Sequence, residues 1–228
     1  MNLEDKKGSH VSMVLSFIIF VVAIIFIYLI VSVSIPKSEP IKNALDNLEG
    51  NVLKSLNSEI WVLRYHEDPS SATCFNFTKP ESITGGQTVA INDTSSVASS
   101  TSGNDILVEN TNSTTKIYYS PFLENPNVYS GSSCTTAILD SARKENIISE
   151  SQILEMMLNF SNNYASLKTK LEVPASMDFD LTFDYLNGTT LGSSESYPST
   201  EIYSRELNLF FLSKNARNEE GKLRIRIW

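Results

Sequence analysis

Between Val11 and Ile35 the chain carries no charged residue, and the run is almost entirely Val, Ile, Leu and Phe with a few Ser. A helix over this stretch extends about 37 Å, enough to cross a hydrocarbon core of about 30 Å with some tilt. A buried helix of a soluble core is rarely so long or so apolar on every side. Pro36 interrupts the run, and Lys37, Ser38 and Glu39 follow it. The expectation is one transmembrane helix over 11–35 behind a short tail, 1–10.

A cleaved secretory signal is the nearest competitor, because Ser32, Val33 and Ser34 form a small-x-small site just past the run. The apolar core of such a signal is 7–15 residues, so the length favours an uncleaved anchor. Lys6 and Lys7 before the span point to a cytoplasmic N-terminus, with the larger C-terminal part outside the cell membrane.

The 228-residue chain has net charge −8, and Glu4 and Asp5 balance Lys6 and Lys7, so the part beyond the span is also −8. Nucleic-acid phosphate needs clustered Lys and Arg, so nucleic acid is not an expected partner. Two cysteines, Cys74 and Cys134, follow the span. They are too far apart for a metal knuckle, and His10 and His66 are the only histidines. In an oxidising compartment a Cys74–Cys134 disulfide would contribute roughly 3–4 kcal/mol; the alternative is two buried thiols. Five Asn-x-Ser/Thr sequons begin at Asn76, Asn92, Asn112, Asn159 and Asn187. Together they point to surface N-glycosylation, with Asn159 the weakest because it falls in an expected helix.

Ile41, Leu45, Leu48, Val52, Leu56 and Ile60 recur at helical spacing, so an amphipathic stalk helix is expected over 36–58. The remainder, 59–228, is expected to be an α+β ectodomain, mainly antiparallel β with one further helix. Strands are expected at Glu59–His66, Thr73–Thr78, Thr88–Ile91, Ile106–Glu109, Lys116–Phe122 and Cys134–Leu139. The Ser/Thr-rich stretch 93–105 is expected to be a solvated loop. Ser149 with Gln152 forms a capping-box pattern, opening a helix that carries Ile153, Met157, Phe160, Tyr164, Leu167 and Leu171 to Pro174. Phe179, Leu181, Phe183 and Tyr185 then alternate with Asp178, Asp180, Thr182 and Asp184 toward an Asn187-Gly188 turn. Two last strands are expected, Glu206–Ser213 and Leu223–Trp228, joined by a polar turn around Asn215–Gly221.

Chemistry is sparse. The aspartates 178, 180 and 184 share a strand face, and a solvated face is favoured over a cation site because the spacing is not that of a calcium loop. Ser141-x-x-Lys144 matches a penicillin-recognising motif by letters, without its companion motifs. His66 lacks a nucleophile partner in the sequence. No catalytic residue, metal site or cofactor is assigned, and the chain is not expected to be an enzyme.

Lys6-Lys7-Gly8, followed by Ser9-His10-Val11-Ser12-Met13 and the apolar run, resembles the class III signal peptide of archaeal type IV pilins. The resemblance implies cleavage by a prepilin peptidase after Gly8, retention of the helix as anchor and filament core, and pilin-like subunits as partners. The segment Tyr164–Tyr185 and the closing Lys222–Trp228 are similar to pilin-like archaeal membrane proteins. Met13 is the fifth residue after such a cleavage, where many bacterial pilins carry Glu, which implies a minor or pilin-like subunit. The alternative expectation is an anchored binding module or adhesin that uses the Ser/Thr-rich loops.

Overall fold

A computed structural model describes residues 5–34, 38–65, 72–79, 85–93, 95–111, 113–131, 133–192 and 201–228. Pro36, Lys37, His66 and Asn112 lie outside the described residues. The chain divides into two units, Met1–Ile41 and Lys42–Trp228.

The first unit is dominated by α1, Asp5–Ser34. Within it Ser12–Ile30 has a mean hydropathy of 3.2 and no buried residue, so one helix is long and apolar enough to span a membrane. A second helix, α2 (Ser38–Leu56), begins here and runs into the second unit. There Ala44, Leu45, Leu48, Val52 and Leu56 are buried, the stripe that the three- and four-residue spacing predicts. Helix α2 stops before Ile60, which belongs to the next strand.

That strand, β1 (Asn57–Tyr65), has alternating side chains that feed two cores. It pairs on both sides in a five-stranded antiparallel sheet with β7 (Thr115–Ser120), β3 (Gln87–Asn92) and β4 (Ser95–Val97) on one flank and β9 (Ser141–Ile148) on the other. A second sheet holds β5 (Ser99–Ser102), β6 (Asp105–Glu109), β2 (Cys74–Thr78) and the two-residue β8 (Thr135–Thr136). Between the two sheets, Leu63, Tyr65, Ala90, Val97, Ile117 and Tyr119 pack with Phe75, Phe77, Ile106 and Val108. Tyr65 packs at 4.6 Å from Phe77 and 5.6 Å from Phe75 between ring centroids. Ile60, Val62, Val89 and Tyr118 fill the opposite face of the first sheet with Leu123, Leu212 and Ala216.

After β9 come α3 (Glu150–Asn162) and α4 (Tyr164–Lys170). The third sheet follows, β10 (Phe179–Tyr185), β11 (Thr190–Gly192), β12 (Tyr203–Leu212) and β13 (Asn218–Ile227), in the order β11-β10-β13-β12. The architecture is α+β with mainly antiparallel sheets; β2–β8 is a parallel exception.

Five local expectations need correction. The stretch 93–105 is not a solvated loop: it holds β4 and β5, and Val97, Ala98 and Ser99 are buried. Ser99 Oγ donates to the Thr88 carbonyl and accepts from the Ala90 amide, both at 3.3 Å, while the Thr88 and Thr101 hydroxyls lie 2.9 Å apart. Small hydroxyl side chains thus satisfy buried backbone groups where the chain crosses from one sheet to the next. The strand expected through Leu139 is only Thr135–Thr136, and the long strand is β9, whose polar sequence follows from its exposed edge position. The single helix expected to Leu171 breaks at Asn163, which leaves helical geometry at φ −137°, ψ 42° and separates α3 from α4. The capping box is half formed: Ser149 accepts from the Gln152 amide, but its own N–H donates to the Leu56 carbonyl at 3.3 Å. The last turn is also shorter than expected, because Gly221 is inside β13; a side chain there would collide with the Phe183 ring.

Cys74 and Cys134 are disulfide-bonded, joining β2 to the segment that leads into β8. Reduction, or Cys134→Ser, is expected to lower unfolding stability by about 3–4 kcal/mol, the value for closing a loop of this length. Denaturant titration with and without reductant measures it; equal midpoints would contradict a stabilising bond.

Candidate functional site

The structure puts Lys6, Lys7 and Gly8 in the first turns of α1. Their side chains are outside the described set. The sequons are dispersed. Asn187 is exposed in the β10–β11 turn, its Oδ1 accepting from the Thr189 amide at 2.9 Å. Asn92 is half-buried at the end of β3 and accepts from Ser95 Oγ. Asn76 is half-buried within β2, and its Oδ1 is buried without a hydrogen-bond partner. Asn159 lies half-buried in α3.

The three aspartates do not share one solvated strand face: Asp178 is exposed just before β10, Asp184 is half-buried and Asp180 is buried. Asp180 and Thr182 are buried because β10 is an interior strand flanked by β11 and β13. Register places Asp180 opposite Arg226, Thr182 opposite Arg224 and Asp184 opposite Lys222. Arg226 Nη1 lies 2.8 Å from Asp180 Oδ2, and Arg224 Nη2 lies 3.6 Å from Asp184 Oδ2. On the other flank Arg224 Nε reaches Glu206 at 2.8 Å, and Lys222 reaches it at 3.3 Å. Asp178 takes Lys168 Nζ at 2.8 Å and the Tyr164 hydroxyl at 3.1 Å. The Lys168 hydrogen bond, foremost, holds the Asp178 carboxyl below its ordinary value. Burial pushes Tyr164 up to about 12. These carboxylates are therefore each matched to a cation. Among the described residues no group of three or more His, Cys, Asp or Glu is placed to hold a metal. Ser141 and Lys144 belong to β9, where Lys144 pairs with Glu59 at 2.6 Å.

One concave site was not anticipated from the sequence. It is a cleft of about 420 Å3 lined by Ile91, Asp93, Thr114, Lys116, Tyr118, the β12–β13 turn residues Ala216 and Arg217, and Asn218 at the start of β13. The turn is held there by packing: Ala216, at φ 59°, is buried against Val62, Val89 and Tyr118. The Ser213 hydroxyl accepts from the Arg217 amide at 3.1 Å. Lys116 and Tyr118 share one face of β7, opposite Arg64 and Val62 of β1. Burial, and next the Glu145 charge, raise the Tyr118 pKa; Arg64 and Arg143 oppose them. In the sequence only the placement of Lys116 and Tyr118 on one face of a strand hints at this cleft, and the fold brings the β12–β13 turn to them.

Comparison with protein-family models, curated proteins and solved structures finds no match for this chain.

Two outcomes follow from the ion pairs. Asp180→Ala leaves the Arg226 charge largely buried and is expected to cost about 3 kcal/mol, whereas Glu59→Ala at the exposed Lys144 pair costs less than about 1 kcal/mol. Chemical denaturation of the two variants separates the cases. Because the folded-state pKa of Asp178 is depressed, its contribution is present above the ordinary Asp range and lost as pH falls through the lower folded value. Asp178→Asn should therefore flatten the acid limb of a stability–pH profile; an unchanged limb would count against this pairing.

Proposed function

We propose that this protein is a single-pass membrane protein, with a cytoplasmic N-terminus and an extracytoplasmic α+β domain, that acts as a pilin-like structural or interaction subunit. The observation that carries the reading is the exposure of the apolar segment Ser12–Ile30. In water, that much bare Ile, Val, Leu and Phe is strongly unfavourable; lipid or neighbouring apolar helices remove it from water. The Cys74–Cys134 disulfide supports an oxidising compartment for the folded domain.

The pilin-like part rests on Lys6-Lys7-Gly8 ahead of the apolar helix and on an amphipathic helix soon after it. In this reading a prepilin peptidase cuts after Gly8, and α1 remains as the element that contacts lipid or the helices of other pilin-like subunits. The role is structural rather than catalytic. Asn76, Asn92, Asn112 and Asn187 are acceptors for glycans on the outer domain.

Mass spectrometry of the chain isolated from its native membranes tests processing: the expected mature N-terminus is Ser9. A chain that starts at residue 1 or 2 would overturn the pilin-like part and leave a plain anchor. Anchoring is tested separately by alkaline carbonate extraction, with the protein expected in the membrane pellet; release into the supernatant would refute it.

A further inference from the structure

The cleft between the first sheet and the β12–β13 turn is electrostatically unlike the rest of the chain. The protein has 26 acidic residues against 18 basic ones. Among the described residues that line this cleft, two are basic and one is acidic. Lys116 and Arg217 line it, and neither is in an ion pair among the described residues. Arg64 and Arg143 are close enough to act on Tyr118 in the same region. Arg64 Nε is buried with no hydrogen-bond partner. Among the described residues the acid that lines the cleft is Asp93, and Glu145, which also acts on Tyr118, is paired with Arg143. By contrast, the arginines at 205, 224 and 226 each face carboxylates.

We propose that this cleft binds a small acidic sugar, with Lys116 and Arg217 holding its carboxylate and Asp93 and Asn218 its hydroxyl groups. The two unpaired cations come from different elements, so they flank a ligand rather than one another. A guanidinium presents parallel N–H donors that fit a carboxylate, and an ammonium adds a second charge. Asp93 gives the class its second constraint. A carboxylate accepts hydrogen bonds from sugar hydroxyls but repels a phosphate dianion, so the cleft selects a singly charged polyol. Asn218 supplies both a donor and an acceptor for neighbouring hydroxyls. The volume of about 420 Å3 falls within the range of small-molecule pockets. The wall is fixed: Tyr118 and Ala216 are buried, so the cations project from a packed base.

The inference concerns residues of the second unit and is independent of membrane anchoring or N-terminal processing. The test uses the full chain in detergent micelles, titrated with D-glucuronate, D-glucose and inorganic phosphate at low ionic strength and followed by calorimetry. Saturable glucuronate binding in the millimolar range or tighter is expected, with glucose and phosphate at least about 10-fold weaker. The double variant Lys116→Ala, Arg217→Ala should weaken glucuronate binding about 10-fold or more at an unchanged melting temperature. Lys170→Ala, remote on α4, should bind as the parent does. Absence of saturable binding by the parent, phosphate binding as tightly as glucuronate, or full binding by the double variant would overturn the proposal. If the double variant fails to fold, the single variant Lys116→Gln, which keeps an exposed polar side chain, gives the same reading by its loss of affinity.

Discussion

Strand Asn57–Tyr65 is paired on both edges and buried on both faces, and most of the outer domain is built upon that arrangement. Its odd-numbered side chains, Leu63 and Tyr65, enter the core shared with the second sheet. Its even-numbered ones, Ile60 and Val62, enter the core capped by Leu212 and Ala216. A one-residue slip of register would exchange the two sets and expose both cores at once, so the pairing is strongly specified. The amphipathic helix leads directly into this strand, and Ser149 at the start of the next helix donates to the Leu56 carbonyl. The Ser58 and Ser149 hydroxyls, 2.8 Å apart and buried, fasten the same junction.

Charge organises the last sheet and its attachment to the amphipathic helix. Arg205 projects from the inner face of β12 toward Asp46 at 2.8 Å and toward Glu49, while Asn51 Nδ2 donates to the Leu171 carbonyl at 3.0 Å. These polar contacts orient a helix whose apolar stripe alone would slide. On the opposite face, the Asp180–Arg226 pair and the Asp184–Arg224–Glu206 row cross three strands. A charge in such a row is matched by its neighbours. The cleft differs from this sheet in that two of its cations, Lys116 and Arg217, are in no ion pair among the described residues.

Much of the local order was legible in the residues. The helical spacing from Ile41 to Leu56, the Ser149 cap, the alternation from Phe179 to Tyr185 and the Asn187-Gly188 turn are all near-neighbour patterns, and each is present in the structure. Strand β9 escaped because its partner buries little of it, so apolar alternation is absent. The Ser/Thr stretch before Asp105 escaped for the opposite reason: its hydroxyls are buried and hydrogen-bonded, while composition alone reads as solvated. The cleft was illegible because Lys116 lies in β7 and Arg217 in the turn between β12 and β13, far apart in the chain.

What the sequence by itself determined is the apolar helix with its basic flank, since length and hydropathy act without reference to any distant residue. It also set the α+β character, because local periodicity distinguishes helix from strand. Only the tertiary structure decided which charges are matched, which hydroxyls are buried, and that one left-handed alanine seats a basic turn on the first sheet. The reason is physical: hydropathy and helix spacing are sums over neighbours, whereas pairing, burial and clefts depend on strand register between segments far apart in the chain.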